Sequence, residues 1–252
     1  MPEGAPAIAV RDLRKLYGSK AAVDGLTLTV PRGCFFGFLG PNGAGKTTTI
    51  RMLMGLAPPT SGSIEMLGLA MPAHALEIKR RIGLVPDESV LFDRLTGAEF
   101  LEFAGRMYGI ERATAAERGS ELLELFELDN AGGRLIAQYS KGMRKRLAMA
   151  AALIHRPELF LMDEPFEGVD AVGARLMKDL LVEQVRRGAT IFLTSHVLEV
   201  VERLCDRVAI IHEGKLVVEG SMAELHSGSE TLEDAFVRLV GAERVLDRLD
   251  WL

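Results

Sequence analysis

Glycine, lysine and threonine recur in Gly40-Pro41-Asn42-Gly43-Ala44-Gly45-Lys46-Thr47 at the spacing G-x-x-x-x-G-K-[ST]. That combination suits the cradling of phosphate. Glycines at 40, 43 and 45 let the backbone curl until successive N–H groups face inward at phosphate oxygens. A helix beginning near Lys46 adds the positive end of its dipole. Lys46 is expected to reach the β- and γ-phosphates of a nucleotide, and Thr47 to ligate magnesium through its hydroxyl. Thr48 completes the set of loop residues expected to bind ATP. A second stretch, "LFLMDEPFEGVD" over 159–170, ends an apolar run in two adjacent carboxylates, Asp163 and Glu164. A buried charge is costly without an opposite partner. Beside a phosphate loop that partner is a magnesium ion, so Asp163 is expected to hold the metal. Glu164 is then placed to take a proton from the water that attacks the γ-phosphate. The turn-rich "EPFEGVD" argues against a simple helix cap.

Such groups need rigid elements to hold them. "CFFGFLG" before the glycine loop is a short continuous apolar run, as are "RIGLV", "LFLMD" and "TIFLTS". Runs of this kind suit strands buried on both faces. "AIAVRDLRKLYG" and "AAVDGLTLTV" instead alternate apolar with polar, as half-exposed strands do. A helix is expected from about Lys46 to Met54 and a short strand around Ser63 to Leu67. Helices follow in "GAEFLEFAGRMYGI", "AAERGSELLELFEL", "KGMRKRLAMAAALI", "ARLMKDLLVEQVRR" and "VLEVVERLC". "RVAIIHEGKLVVEG" reads as two strands joined at Glu213-Gly214. Buried strands alternating with helices predict an α/β fold with a mainly parallel sheet. The helical stretch at about 88–155 interrupts the alternation as an inserted subdomain. The domain is expected to span 1–225, with an amphipathic helical tail at 226–252. Ser140 is a good N-cap for the helix starting at Lys141, so its hydroxyl, N–H groups and dipole offer a second anion site. His196 follows a buried strand and stands where α/β sites form; His74, His155, His212 and His226 are read as structural.

Composition narrows the function classes. The charge of −5, from 30 basic and 35 acidic residues, gives no general pull toward nucleic acid. Two cysteines, Cys34 and Cys205, make neither a disulfide framework nor a metal cluster. "MPEGAPAIAV" lacks a basic n-region and a long apolar run, so no signal peptide is expected. No window approaches the roughly 20 apolar residues of a membrane-spanning helix.

"YSKGMRKRLAMA" (139–150) and "TSHVLEV" (194–200) flank the carboxylates. With them in place the chain resembles the nucleotide-binding subunits of ATP-binding cassette (ABC) transporters over about residues 7 to 240. The signature loop of that family is usually Leu-Ser-Gly-Gly-Gln; Ser140 and Gly142 match it, whereas Lys141 and Met143 depart. The form "YSKGMRKRL" is similar to the branch that exports drugs, lipids or polymers. The resemblance implies a P-loop NTPase of the ABC type, with an antiparallel β subdomain beside the parallel core. It implies ATP and Mg2+ as cofactors, and an integral-membrane permease as partner at the cytoplasmic face of the cell membrane. It also implies a second nucleotide-binding subunit, most simply a homodimer, arranged head to tail. Ser140 and Gly142 of one subunit then close over the nucleotide held by Lys46 of the other. His196 is implied at the γ-phosphate, Tyr17 stacked on adenine, and Gly168, Val169 and Asp170 at the dimer interface, with Asp170 also able to cap the helix near Ala171. Asp87 stands where the family has a glutamine that touches magnesium and the attacking water; it is expected to approach the metal through a water. A ribosome-acting relative would carry two cassettes, a chromosome-maintenance ATPase a long coiled coil, and a small-molecule kinase would lack "YSKGM". A soluble single-cassette ATPase acting in assembly remains the alternative.

Overall fold

The computed structural model describes residues 4–88, 90–225 and 232–240. The chain opens with strands β1 (Ile8–Tyr17), β2 (Lys20–Val30) and β3 (Phe35–Leu39), then helix α1 (Lys46–Leu53). Next come β4 (Ser61–Met66), β5 (Leu69–Met71), α2 (Ala75–Lys79) and β6 (Ile82–Val85). Three helices follow, α3 (Gly97–Met107), α4 (Arg112–Leu125) and α5 (Lys141–Leu153). Alternation then resumes with β7 (Leu159–Asp163), α6 (Ala171–Arg186), β8 (Thr190–Ser195), α7 (Leu198–Leu204), β9 (Arg207–His212) and β10 (Lys215–Ser221). Short α8 (Met222–Leu225) and α9 (Leu232–Val240) close the described chain.

Two sheets result. One is antiparallel, in the order β2-β1-β4-β5; the other runs β10-β9-β3-β8-β7-β6. In the larger sheet every pairing is parallel except β9 with β10. This is the mainly parallel α/β core with an antiparallel sheet beside it that the sequence and its resemblance predict. Every residue of β3, β7 and β8 is buried, which explains their unbroken apolar runs. Alternate side chains feed two cores. Phe35, Leu39, Phe160, Met162, Ile191 and Leu193 face the one shared with α3 to α6, while Phe36, Phe38, Leu161 and Phe192 face the one shared with α1 and the antiparallel sheet. Phe36 stacks on Phe192 at 5.9 Å between ring centres.

Local chemistry sets the helix starts. Thr96 and Glu99 exchange hydrogen bonds in a capping box at α3, Ser140 Oγ accepts from Met143 N at α5, and Asp170 Oδ1 accepts from Gly173 N at α6. Each such cap stabilises its helix by about 1 kcal/mol. β5 and α2 were not expected; three and five residues are too few for periodicity to register. Cys34 and Cys205 are both buried against the larger sheet. Burial pushes the Cys34 thiol up to about 11, and the Cys205 thiol higher still. Helix α9 buries Leu232, and Phe236 and Val240 pack on the same core. The rest of the tail expected at 226–252, with His226, lies outside the described residues. Among the described residues no helix is long and apolar enough to cross a membrane.

Candidate nucleotide site

The register of the parallel sheet brings the sequence-selected groups together. Leu39 is level with Ser195, and Asp163 with Thr194, so β3, β8 and β7 end in one row at their carboxyl edge. Crevices outside the carboxyl ends of parallel strands are where such sheets bind ligands. Here β8 lies between the strand before the glycine loop and the strand bearing the carboxylates. The two motifs therefore meet across it.

The glycine loop spans 40–45 and its three glycines serve different ends. Gly43 and Gly45 take φ of 81° and 111°, a region other residues enter only with strain. Gly40 does not; a Cβ there would meet the carbonyl oxygen of Ile211 on β9 at 2.3 Å. Gly45 caps α1 with no side-chain hydrogen bond, so first-turn N–H groups are left for an anion. Lys46 is buried, and its Nζ donates to Gly40 O at 2.6 Å and Pro41 O at 3.4 Å. It also lies 3.9 Å from Glu164 Oε1. Burial lowers the lysine's pKa, against the opposing pull of Glu164 and Asp163. An arriving phosphate offers this ammonium a full charge in place of two carbonyl dipoles.

Asp163 is buried, and Thr194 Oγ1 donates to its Oδ1 at 2.5 Å. Glu164 adopts φ of 46°, a conformation that costs a non-glycine residue about 1–3 kcal/mol. Its backbone N–H donates to Thr194 O at 3.3 Å. The turn aims the Glu164 side chain at His196, with Oε1 2.9 Å from Nδ1 and Oε2 accepting from His196 N at 3.4 Å.

These groups line one cleft of about 730 Å³, together with Tyr17, Lys20, Pro41, Asn42, Thr47, Thr48, Asp87 and Glu167. Gly40 and Ala44 are buried and do not line it. Tyr17 is half exposed at the end of β1, with Lys15 Nζ 5.1 Å from its ring centre. Ser140 and Gly142 do not line this cleft. They sit at the start of α5, and Gly142 lies against the 168–169 segment, where a Cβ on it would come within 3.1 Å of Gly168 O. Another cleft of about 760 Å³, bounded by Leu122, Leu180 and Arg187, holds none of the selected residues.

Four participants were not read from sequence. Lys20 and Glu167 line the cleft, and Thr194 bonds Asp163. Lys145 is 2% exposed; its Nζ donates to Asp87 O at 2.7 Å and Pro86 O at 3.1 Å, and lies 3.9 Å from Asp87 Oδ1. Its setting in "MRKRL" looks like a solvated helix face, and no local pattern marks one of its cations as buried.

Residues 23–167 match the ABC transporter family. The chain is 41% identical over 220 residues to Nod factor export ATP-binding protein I of Ralstonia nicotianae, covering 87% of this chain and 68% of that one. It is 44% identical over 213 residues to bacitracin transport ATP-binding protein BcrA of Bacillus licheniformis, covering 84% and 69%. A solved ATP-binding subunit of an ABC transporter superposes with a TM-score of 0.86 at 31% identity, over 92% of this chain and 99% of that one. With the family match covering more than half of the chain and these relatives matched over most of their length, the chain belongs to the ABC transporter family as one of its ATP-binding, ATP-hydrolysing domains.

Proposed function

We propose that this ATPase domain drives a separate membrane permease in export, working at two sites shared across a head-to-tail dimer. One observation carries the reading: Lys46, Asp163, Glu164 and His196 converge in one cleft while Ser140 and Gly142 stay outside it. A second chain can supply those two to the open side. In each site Lys46 holds the β- and γ-phosphates, backbone N–H groups of the loop surround them, and Tyr17 stacks on the base. Glu164 takes a proton from the attacking water, and His196 orients that carboxylate while facing the γ-phosphate. Thr47 and Asp163 suit Mg2+, because they are hard oxygen donors on one cleft and leave the remaining positions to phosphate and water. When bound, the ion neutralises charge developing on the phosphates. Asp87 lines the same cleft, and its carboxylate would join the shell of such an ion through a water.

Export is supported by the relatives named for Nod factor export and bacitracin transport. A permease contact is supported by an apolar surface just after Asp87. Phe92 and Phe103 are 52% and 41% exposed, Met107 is 70% exposed, and the two rings meet at 5.3 Å. Exposed patches of this kind mark protein contacts. The domain is taken as 1–225 with its helical insertion at about 88–155, and it lies peripherally at the cytoplasmic face of the membrane. Extraction of membranes with mild detergent tests the assignment. The chain is expected to copurify with a multi-helix membrane protein that stimulates its magnesium-dependent ATP hydrolysis. Recovery only with soluble partners would favour the assembly ATPase instead.

A further inference from the structure

Asp87, Asp163, Glu164 and Glu167 put four carboxylates around a cleft that receives a polyanion. Three have evident counterparts. Asp163 accepts from Thr194, Glu164 faces His196 and Lys46, and Glu167 pairs with Lys141 at 2.8 Å. Asp87 is answered from α5, by the ammonium of Lys145. The two carbonyls that this ammonium also engages, on Pro86 and Asp87, need only a neutral donor. A full charge buried to 2% exposure is an expensive way to satisfy them unless an anion opposes it. Burial lowers the pKa of Lys145, Asp87 leads the groups that raise it, ahead of Glu167 and Asp163, and Lys141 opposes them.

We propose that Lys145 is a positioning residue for the nucleotide site: it pins the 86–87 segment and cancels the Asp87 carboxylate, so that this wall of the cleft meets the triphosphate without net charge. The inference rests on the nucleotide-site reading above. It makes Asp87 and Lys145 one functional unit, although 58 positions separate them. The unit also ties the cleft wall to the helix that begins at Ser140, so a shift of α5 alters the charge the nucleotide meets.

The test is equilibrium binding of a fluorescent ATP analogue in EDTA, which removes any part Asp87 plays toward the metal. Circular dichroism checks the fold of each variant. Lys145→Gln keeps a hydrogen-bond donor and loses the charge; it is expected to weaken binding about tenfold, the scale of one uncompensated charge near a phosphate in a partly screened site. Asp87→Asn leaves Lys145 unopposed and should tighten binding by roughly threefold. Lys145→Gln with Asp87→Asn should return to within about threefold of the parent. A double variant as weak as Lys145→Gln would overturn the proposal, since a purely structural lysine is not rescued by neutralising its partner. Weaker binding by Asp87→Asn alone would also overturn it, and that variant decides the matter if Lys145→Gln does not fold. Failure of the parent to bind the analogue both in EDTA and with excess magnesium would instead refute the nucleotide-site reading.

Discussion

In the proposed site Glu164 carries the central chemical role. It occupies a strained backbone conformation and faces His196 and Lys46 at once. Strain of that kind persists when the surrounding structure over-determines it, and it clusters at functional sites. Glu164→Gln keeps the size and most hydrogen bonds but cannot accept the proton. It is expected to bind ATP like the parent and hydrolyse it at least about a hundredfold more slowly, general-base catalysis being worth 10²–10⁴-fold. Single-turnover hydrolysis measures this, and near-parental turnover would remove Glu164 from the role. The importance of Asp163 and Glu164 was legible in sequence, because an apolar run ending in two acids demands a cationic partner. The turn of Glu164 toward His196 was not. It depends on β7 lying beside β8, and on Thr194 bonding both Asp163 and the Glu164 backbone, contacts that span about thirty positions.

At the scale of elements, β3 and α1 were legible because the apolar run, the glycine spacing and the helix start agree with one another. The individual duty of each glycine was not, because it is decided by neighbours distant in the chain. Gly40 makes the point: its missing side chain accommodates β9, not a curl of the loop. Gly40→Ala is therefore expected to destabilise the nucleotide-free protein by about 1–3 kcal/mol, as overpacking does where backbone must move. Urea titration reads this as a lower midpoint with an unchanged slope. An unchanged midpoint would mean that β9 shifts without strain. Lys145 was illegible for the opposite reason. Its helix was plain in the sequence, yet which of several adjacent cations turns inward depends on where α5 packs against β6 and the 86–87 segment.

For the whole molecule, the separation of Ser140 and Gly142 from the cleft sets what an assembly must do. If two copies complete each other's sites, chains carrying Lys46→Ala and chains carrying Ser140→Ala can together form one intact site in a mixed dimer. The other site then holds both defects. An equimolar mixture should recover roughly a quarter of the parental rate, half of the dimers being mixed and each holding one sound site of two. No recovery, with mixed dimers shown to form, would mean that Ser140 acts within its own chain or that both sites must fire together. The thiols carry a further consequence. Cys34 and Cys205 are held neutral and covered at the larger sheet, so an alkylating reagent reaches them only when that region opens. The protein thus contains its own clock, and the pace at which the native chain takes up the reagent, with and without nucleotide, counts how often the platform beneath the cleft comes apart.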